Sequence, residues 1–183
     1  MRVSLDGNRL SLDGAASTDP DGAIVDYDWY FGQPGAEQVF TGVKVSATVP
    51  AGKPLRVTLV LTDDDGATTY VTHNLAPIDV KPGSVGNPIN PTSRGVTPVA
   101  ILSADSFDAT TVDSNSVRFG PARVQAACTA RAEDVNGDGR LDLLLHVAPS
   151  GLGIKPGDTT LRLIGRLRDG TEFLGADRIR VVG

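Results

Sequence analysis

Short runs of alternating apolar and polar residues recur along the chain and predict β-strands. Alternation with a period of two places successive side chains on opposite faces, as in a strand that buries one face. Clusters rich in Asp, Gly and Pro separate the runs and predict turns. In the first part of the chain the predicted strands cover residues 3–5, 9–12, 24–31, 43–49 and 55–62. Short strands at this spacing predict a β-sandwich of the immunoglobulin type over residues 1–76.

The same pattern continues after Pro77 and predicts a second β-sandwich over residues 77–183. Here the strand-like runs cover residues 78–81, 96–102, 116–119, 160–167 and 178–182, with a hairpin between about 124 and 147. The boundary at Ala76–Pro77 is short, so we expect two tandem sandwiches that sit close together in a semi-rigid arrangement. The predicted fold is therefore all-β.

Residues 134–142 carry side-chain oxygens at a metal-binding spacing. Asp134, Asn136, Asp138 and Asp142 occupy loop positions 1, 3, 5 and 9, and Gly139 at position 6 permits a sharp turn. Alternate residues of such a loop direct hard oxygen ligands at one cation, and Ca²⁺ accepts this flexible oxygen shell. The backbone carbonyl of Arg140, at position 7, is a further candidate ligand. The spacing predicts a calcium site.

The flanks of this loop favour a β-hairpin over an EF-hand. An EF-hand needs a helix on each side and a bidentate Glu at position 12, where this chain has Leu145. The run 141–147 is short, apolar and closed by Pro149, which favours a strand. The loop resembles the calcium loops of integrin-type FG-GAP propeller repeats, but its single copy excludes a propeller. Asp158 and Asp177 are candidates to complete the calcium shell from neighbouring loops.

Residues 12–32 and 57–67 resemble the polycystic-kidney-disease (PKD) domain. The resemblance implies a small immunoglobulin-like sandwich that acts as a spacer or binding accessory in secreted bacterial hydrolases and surface proteins. The family's Trp-Asp-Phe-Gly-Asp-Gly run stands here as residues 29–34, without its acidic positions. Some members bind calcium near a Thr-Asp-x-Asp-Gly turn, which matches residues 18–22. A second calcium at Asp19 and Asp21, helped by Asp63 or Asp64, is one reading of that turn, and a hydrogen-bonded Asx turn is the other.

Residues 78–84, 94–102, 107–113, 117–121 and 133–139 resemble a module near the C-termini of secreted bacterial multidomain proteins. This resemblance implies a secreted or cell-surface location, where calcium at about millimolar level fills weak sites. Met1 is followed directly by Arg2 and Val3 without a signal peptide, which is typical of a segment cut from a longer secreted protein. The expected partners are the other domains of that parent protein.

Composition and charge exclude several classes of partner. The net charge is −5 and the basic residues do not cluster, which argues against nucleic-acid binding. No run approaches the roughly 20 apolar residues of a membrane-spanning helix. The lone Cys128 excludes an internal disulfide, and we expect it to be a small buried strand residue.

The sequence lacks the motifs of an active site, so we expect a non-catalytic protein. It has no Gly-x-Ser-x-Gly, phosphate-loop or His-Glu-x-x-His motif, and His73 and His146 are expected as ordinary strand residues. Two functions remain: a calcium-stabilised spacer, or a module that binds polysaccharide or a cell-surface partner.

Sugar-binding surfaces use exposed aromatic rings, which makes the aromatic residues of the strand 24–31 informative. Alternation places Trp29 and Tyr27 on the core face and Tyr30 on the outer face. Tyr30 is thus the candidate ligand-binding residue, and the pattern leaves the direction of Tyr70 open.

Overall fold

The chain is all-β, as predicted. The computed structural model describes residues 1–6, 8–32, 37–50, 53–127 and 129–183, and within these ranges it contains sixteen strands, two short 3₁₀ turns and no α-helix. Cys128 and the predicted turn at 34–35 lie outside the described residues. The strands are β1 (Arg2–Asp6), β2 (Arg9–Asp13), β3 (Ile24–Phe31), β4 (Gln38–Thr41), β5 (Lys44–Thr48), β6 (Leu55–Asp63), β7 (Thr68–Leu75), β8 (Ile78–Val80), β9 (Pro88–Ile89), β10 (Thr97–Ile101), β11 (Val112–Phe119), β12 (Arg131–Glu133), β13 (Asp142–Val147), β14 (Thr160–Leu167), β15 (Glu172–Arg178) and β16 (Arg180–Val181).

The strands with clear alternation were predicted well, and several strands without it were missed. β3 and β14 have the predicted bounds. No alternation marks β7, whose first residues are Thr-Thr-Tyr and are exposed, and the pattern also missed β4, β9 and most of β15. Pairing with neighbouring strands, which sequence periodicity does not report, holds these segments extended.

The first sandwich packs a three-stranded sheet, β1-β2-β5, against strands β4, β3, β6 and β7 of a larger sheet. Trp29 lies at its centre with no exposed surface, and its indole Nε1 donates a hydrogen bond to the carbonyl of Gly42 at 2.8 Å. Tyr27 packs against the same core, so the predicted faces of β3 are confirmed. The buried apolar residues of this core are Leu5, Leu10, Leu12, Trp29, Phe31, Val49, Val57, Leu59, Leu61, Leu75 and Leu174.

The second sandwich packs a four-stranded sheet, β12-β13-β10-β8, against strands β11, β14 and β15. Val99, Leu145 and Val147 face Phe119, Leu163 and Phe173 across its core. Gly165 in β14 leaves room for the ring of Phe173, because a Cβ at this glycine would lie 2.7 Å from Phe173 Cζ. The close approach explains a glycine in the middle of a strand.

The two sandwiches share one seven-stranded sheet, in the order β11-β14-β15-β7-β6-β3-β4. β15 runs parallel to β7, with Phe173 beside Asn74 and Leu174 beside Leu75. Leu174 and Leu75 belong to the first core, whereas Phe173 belongs to the second. Since neighbouring residues of a strand point to opposite faces, the two cores lie on opposite faces of the shared sheet.

Further contacts tie β1 to the second sandwich. Arg162 Nε donates to the carbonyl of Leu5, and Arg162 Nη2 lies 3.2 Å from Asp6 Oδ1. Thr160 Oγ1 also donates to Asp6 Oδ1 at 3.1 Å. The join is therefore built from backbone pairing, packing and polar contacts. Within the described residues no helix is long and apolar enough to cross a membrane.

Candidate metal centre and aromatic surface

The loop at 134–141 joins β12 to β13 in the predicted hairpin, but the first strand covers only Arg131–Glu133 and does not extend back to residue 124 as expected. The two strands pair antiparallel, and Glu133 opposite Asp142 closes the hairpin at the base of the loop. Gly139 has a φ of +85°, a left-handed conformation that an L residue adopts only with strain. The turn expected at this glycine is therefore present.

Three side chains of the loop fold back over its backbone. Asp134 accepts hydrogen bonds from the N–H groups of Gly137, Asp138 and Gly139 at 2.8, 3.1 and 2.9 Å. Asn136 Oδ1 accepts from the Asp138 N–H at 3.0 Å, and its Nδ2 lies 3.2 Å from Asp138 Oδ2. Asp134, Asn136 and Asp138 thus converge on one small, solvent-facing region.

Asp142 has a different environment, because its carboxylate is fully buried. Its Oδ2 accepts from the Val135 N–H at 2.9 Å, at the entry to the loop. Its Oδ1 accepts from the Ser103 N–H at 2.8 Å, and Ser103 Oγ donates to the carbonyl of Leu141 at 2.7 Å. Asp142 therefore fastens the loop to the segment after β10.

The remaining candidate ligands have other contacts. The Arg140 guanidinium pairs with Asp105, and this hydrogen bond raises the pKa of Arg140. Asp158 accepts from the Lys155 N–H at 2.7 Å, and Asp177 accepts from the Val80 N–H at 2.8 Å and from Asn87 at 2.9 Å. In the described part of the chain, the hydrogen bonds of Asp158 and Asp177 involve no residue of the loop.

The oxygen donors of the loop are of the type that binds calcium, but they are fewer than a calcium shell requires. Among the described residues, no group of three or more His, Cys, Asp and Glu side chains is arranged to hold a metal. The loop supplies the carboxylates of Asp134 and Asp138, the amide oxygen of Asn136 and backbone carbonyls, all hard oxygen donors of the kind that bind Ca²⁺. Water molecules would have to complete a shell of six to eight oxygens.

A second group of carboxylates surrounds Gly22. A Cβ at this position would overlap Asp64 Oδ1 and lie 3.0 Å from Asp19 Oδ2. A hydrogen bond with the Asp21 carboxyl raises the pKa of Asp19, and burial and the negative charges of Asp21 and Asp63 raise it further. The Asp21 N–H also reaches Asp19 Oδ1 at 3.4 Å, the contact of an Asx turn. The structure thus brings Asp19, Asp21 and Asp64 together, as the sequence suggested.

Two tyrosines lie on the outer face of the first sandwich. Tyr30 points away from the core that holds Trp29, and it is opposite Thr58 in β6. Thr58 is opposite Thr72 in β7, and their hydroxyl groups lie 3.0 Å apart on this same face. Tyr70, two residues before Thr72, shares the face and is 76% exposed. With strands about 4.8 Å apart and a rise of about 3.4 Å per residue, the Cα atoms of the two tyrosines are roughly 12 Å apart.

Sequence reasoning missed Ser103 and left Tyr70 undecided. Ser103 is 39 residues from Asp142, and no local pattern marks it as the partner of a buried carboxylate. Tyr70 lies in β7, a strand that the pattern did not predict. The two histidines are strand residues as expected, His73 in β7 and His146 in β13.

No family model and no curated protein matches the chain. The PKD resemblance therefore stays a prediction. Similar solved structures include SGBP-B of the Bacteroides ovatus mixed-linkage glucan utilization locus, determined with a mixed-linkage heptasaccharide (12% identity, TM-score 0.33, covering 86% of this chain and 37% of that one). A bacterial ice-binding adhesin of 1.5 MDa, studied for host cell surface retention, shows 14% identity and a TM-score of 0.29 over 96% of this chain and 58% of its own. Murine CEACAM1b shows 12% identity and a TM-score of 0.27, with 97% and 94% covered.

The chain spans about a third to three fifths of the length of the first two of these structures. At such identities and TM-scores, the comparisons assign neither a family nor a function to this chain.

Proposed function

We propose that this chain is a non-catalytic accessory module of a longer secreted or cell-surface bacterial protein, and that calcium at the loop 134–142 stabilises it. The observation that carries the proposal is the convergence of Asp134, Asn136 and Asp138 in a hairpin loop whose spacing matches calcium loops. In this proposal the two carboxylates and the Asn136 amide hold the ion, with the Arg140 carbonyl as a further donor. Asp142 serves mainly to position the loop.

The mechanism of the proposed stabilisation is thermodynamic linkage. Calcium that binds the folded hairpin and not the unfolded chain adds RT ln(1 + [Ca]/Kd) to the free energy of unfolding. At ten times Kd this amounts to roughly 1.4 kcal/mol, which is a substantial fraction of the stability of an ordinary domain. The shared sheet suits a spacer, because backbone pairing between β7 and β15 limits bending at the join.

A thermal melt of the purified chain in EDTA and in millimolar calcium tests this proposal. We expect a higher melting temperature in calcium and no such gain in magnesium, which demands a smaller and more regular octahedral shell. Equal melting temperatures in EDTA and in calcium would contradict the proposal. The turn around Gly22 is a second candidate for a cation, supported by the close approach of the Asp19 and Asp64 carboxylates around that glycine.

Binding of a polysaccharide is a second candidate function, and the outer face of the first sandwich favours it. Tyr30 and Tyr70 lie on the same face of the sheet, and the ring of each tyrosine offers a stacking platform to a sugar. Their separation suits two sugar units of one polysaccharide chain. Affinity electrophoresis in gels that contain neutral β-glucans or xylans tests this function, and unchanged mobility in every gel would exclude it for those polysaccharides.

A further inference from the structure

A groove of about 430 Å³ lies between β1 and the open face of β11, β14 and β15. Phe119 and Leu163, which are opposite each other, point into the second core. The preceding pair, Arg118 and Ile164, therefore points to the other face, where it forms part of the groove floor. Val3 of β1 lines the facing side.

The groove is basic although the chain as a whole is acidic. Arg118, Arg123 and Arg166 line it, and Glu172 is its one carboxylate among the described lining residues. Arg166 Nη2 pairs with Glu172 Oε1 at 2.9 Å, so among the described lining residues no carboxylate is left to balance Arg118 and Arg123. Burial lowers the pKa of His73, whose Nδ1 lies 3.9 Å from Glu172 Oε2, so this histidine adds no charge at neutral pH.

The guanidinium of Arg118 is held by the backbone with donors to spare. Its Nη1 donates to the carbonyls of Asn115 and Val117 at 2.7 and 2.9 Å. Within the described ranges no hydrogen bond involves its Nε or Nη2 group, and this edge of a guanidinium matches a carboxylate with two parallel hydrogen bonds. Arg118 is therefore preorganised for an anion.

Arg123 reaches the same groove from a strained turn. Its φ is +54°, in a region that favours glycine or asparagine over arginine. The turn over residues 120–123 is fixed by the paired hydrogen bonds between Phe119 and Val124 at 2.8 and 3.0 Å. In the described part of the chain, Arg123 makes no ion pair and no side-chain hydrogen bond. Neither the turn nor an internal partner explains an arginine here.

We infer that this groove binds the carboxylate of a uronic acid unit in an acidic polysaccharide, with Arg118 and Arg123 as its principal donors. The size suits one or two sugar rings, and Ile164 and Val3 offer apolar contact to a ring face. Glu172 provides an acceptor for sugar hydroxyl groups, which a polyanion without hydroxyls would not use. An extended acidic peptide fits less well, because Arg162 occupies the Leu5 carbonyl on the edge of β1 where a peptide strand would pair.

The test is a titration of the intact, isotope-labelled chain with digalacturonic acid, followed by amide chemical shifts, beside its methyl ester. We expect the acid to shift the amides of residues 116–124 and 172–174, and the ester to leave them unchanged. Arg118→Gln and Arg123→Asn should each weaken binding by roughly tenfold or more, as the loss of charge-assisted hydrogen bonds predicts. Arg123→Asn also suits the left-handed φ, so this variant should stay folded.

Arg180→Gln is the matched control, since Arg180 is an exposed arginine of β16 outside the groove, and it should bind as the unmodified chain does. Equal binding of the acid and the ester, absence of binding at millimolar digalacturonate, or full binding by both groove variants would overturn the inference. Stronger binding of tetra-aspartate at the same residues would overturn the choice of a sugar acid. The Tyr70→Ala variant should bind digalacturonate normally, which separates this groove from the tyrosine surface.

Discussion

The buried carboxylate of Asp142 accepts a hydrogen bond from the backbone N–H of Ser103 at 2.8 Å. This contact joins the end of the candidate calcium loop to the segment after β10, 39 residues earlier in the chain. The other carboxylate oxygen of Asp142, Oδ2, accepts a hydrogen bond from the Val135 N–H. Asp142 is thus a structural element of the hairpin whether or not a metal is bound.

Asp142→Ala should destabilise the fold in the absence of calcium. The substitution leaves the N–H of Ser103 buried without an acceptor and removes the bond to Val135, and we expect a loss of about 3 kcal/mol in the free energy of unfolding. Urea unfolding in EDTA measures this loss. Asp142→Asn, which keeps one acceptor oxygen, should lose less, and a variant as stable as the parent would show that these bonds contribute nothing.

Asp138→Ala should abolish the response to calcium and leave the fold in EDTA nearly unchanged. Asp138 is exposed and its contacts lie within the loop, so its removal takes away a ligand without opening the core. Melting temperatures with and without calcium should then coincide. Glu133→Ala, which removes an exposed carboxylate of the adjacent strand, should keep the calcium shift.

A calcium shift retained in Asp138→Ala would contradict the assignment to this loop. If the calcium shift of the melting temperature persisted in Asp138→Ala and disappeared in Asp21→Asn, the ion would belong to the turn around Gly22.

Tyr70→Ala and Tyr30→Ala should reduce retention by any neutral polysaccharide that the parent chain binds. Each tyrosine lies on the outer sheet face, and loss of one ring removes a stacking contact worth roughly 1 kcal/mol, or about fivefold in affinity. Affinity electrophoresis compares the retention of the variants with that of the parent chain, provided that the variants are as stable as the parent. Val39→Ala, an exposed aliphatic position on the same face, should change retention little. Unchanged retention in the double tyrosine variant would remove this face from the binding site.

Leu174→Ala should destabilise the first sandwich although Leu174 lies near the end of the chain. Its side chain is 7% exposed and belongs to the first core beside Leu75. Truncation of a buried leucine costs about 2–5 kcal/mol. Ile164→Ala is a suitable control, because Ile164 is opposite Leu174 in β14 but is 39% exposed.

The fluorescence of Trp29 reports this unfolding from within the first core. A Leu174→Ala variant whose tryptophan transition stays in place would show that Leu174 contributes little to the stability of the first core.

The free energy of unfolding of the Asp177→Asn variant should increase relative to that of the parent chain as the pH rises. Burial raises the pKa of Asp177 above its ordinary value of 3.8, although the N–H groups of Val80 and Arg178 act against this shift. A carboxyl whose pKa is raised by folding contributes stability that is fully present below the unfolded pKa and is lost as the pH rises through the folded pKa. Asparagine does not titrate, so the variant escapes this loss.

Urea unfolding at pH values from below 3.8 up to neutrality measures the difference between the variant and the parent. Burial and then the charge of Asp177 raise the pKa of Asp79, so the variant should also lower that pKa. A difference in unfolding free energy that is constant with pH would show that Asp177 titrates alike in the folded and unfolded chain.

The sequence predicted the hairpin around residues 134–142 because its signals are local. Loop spacing, the glycine at 139 and the apolar run after it all lie within about fifteen residues. The faces of β3 on which Trp29, Tyr27 and Tyr30 lie were also predicted, since alternation along one strand decides them. No comparable local signal marks the role of Asp142, because its partner Ser103 lies 39 residues away in the chain.

The sequence alone determined the all-β class, most strands with one buried face, and the chemistry of the loop, because period-two alternation and turn residues act over a few positions. The tertiary structure decided that the two sandwiches share a sheet, that Leu174 enters the first core and that Val3 and Ile164 join Arg118 in one groove. These relations depend on pairing between strands about a hundred residues apart, such as β7 and β15. Such pairing is set by how complete faces pack together, and no short stretch of sequence carries that information.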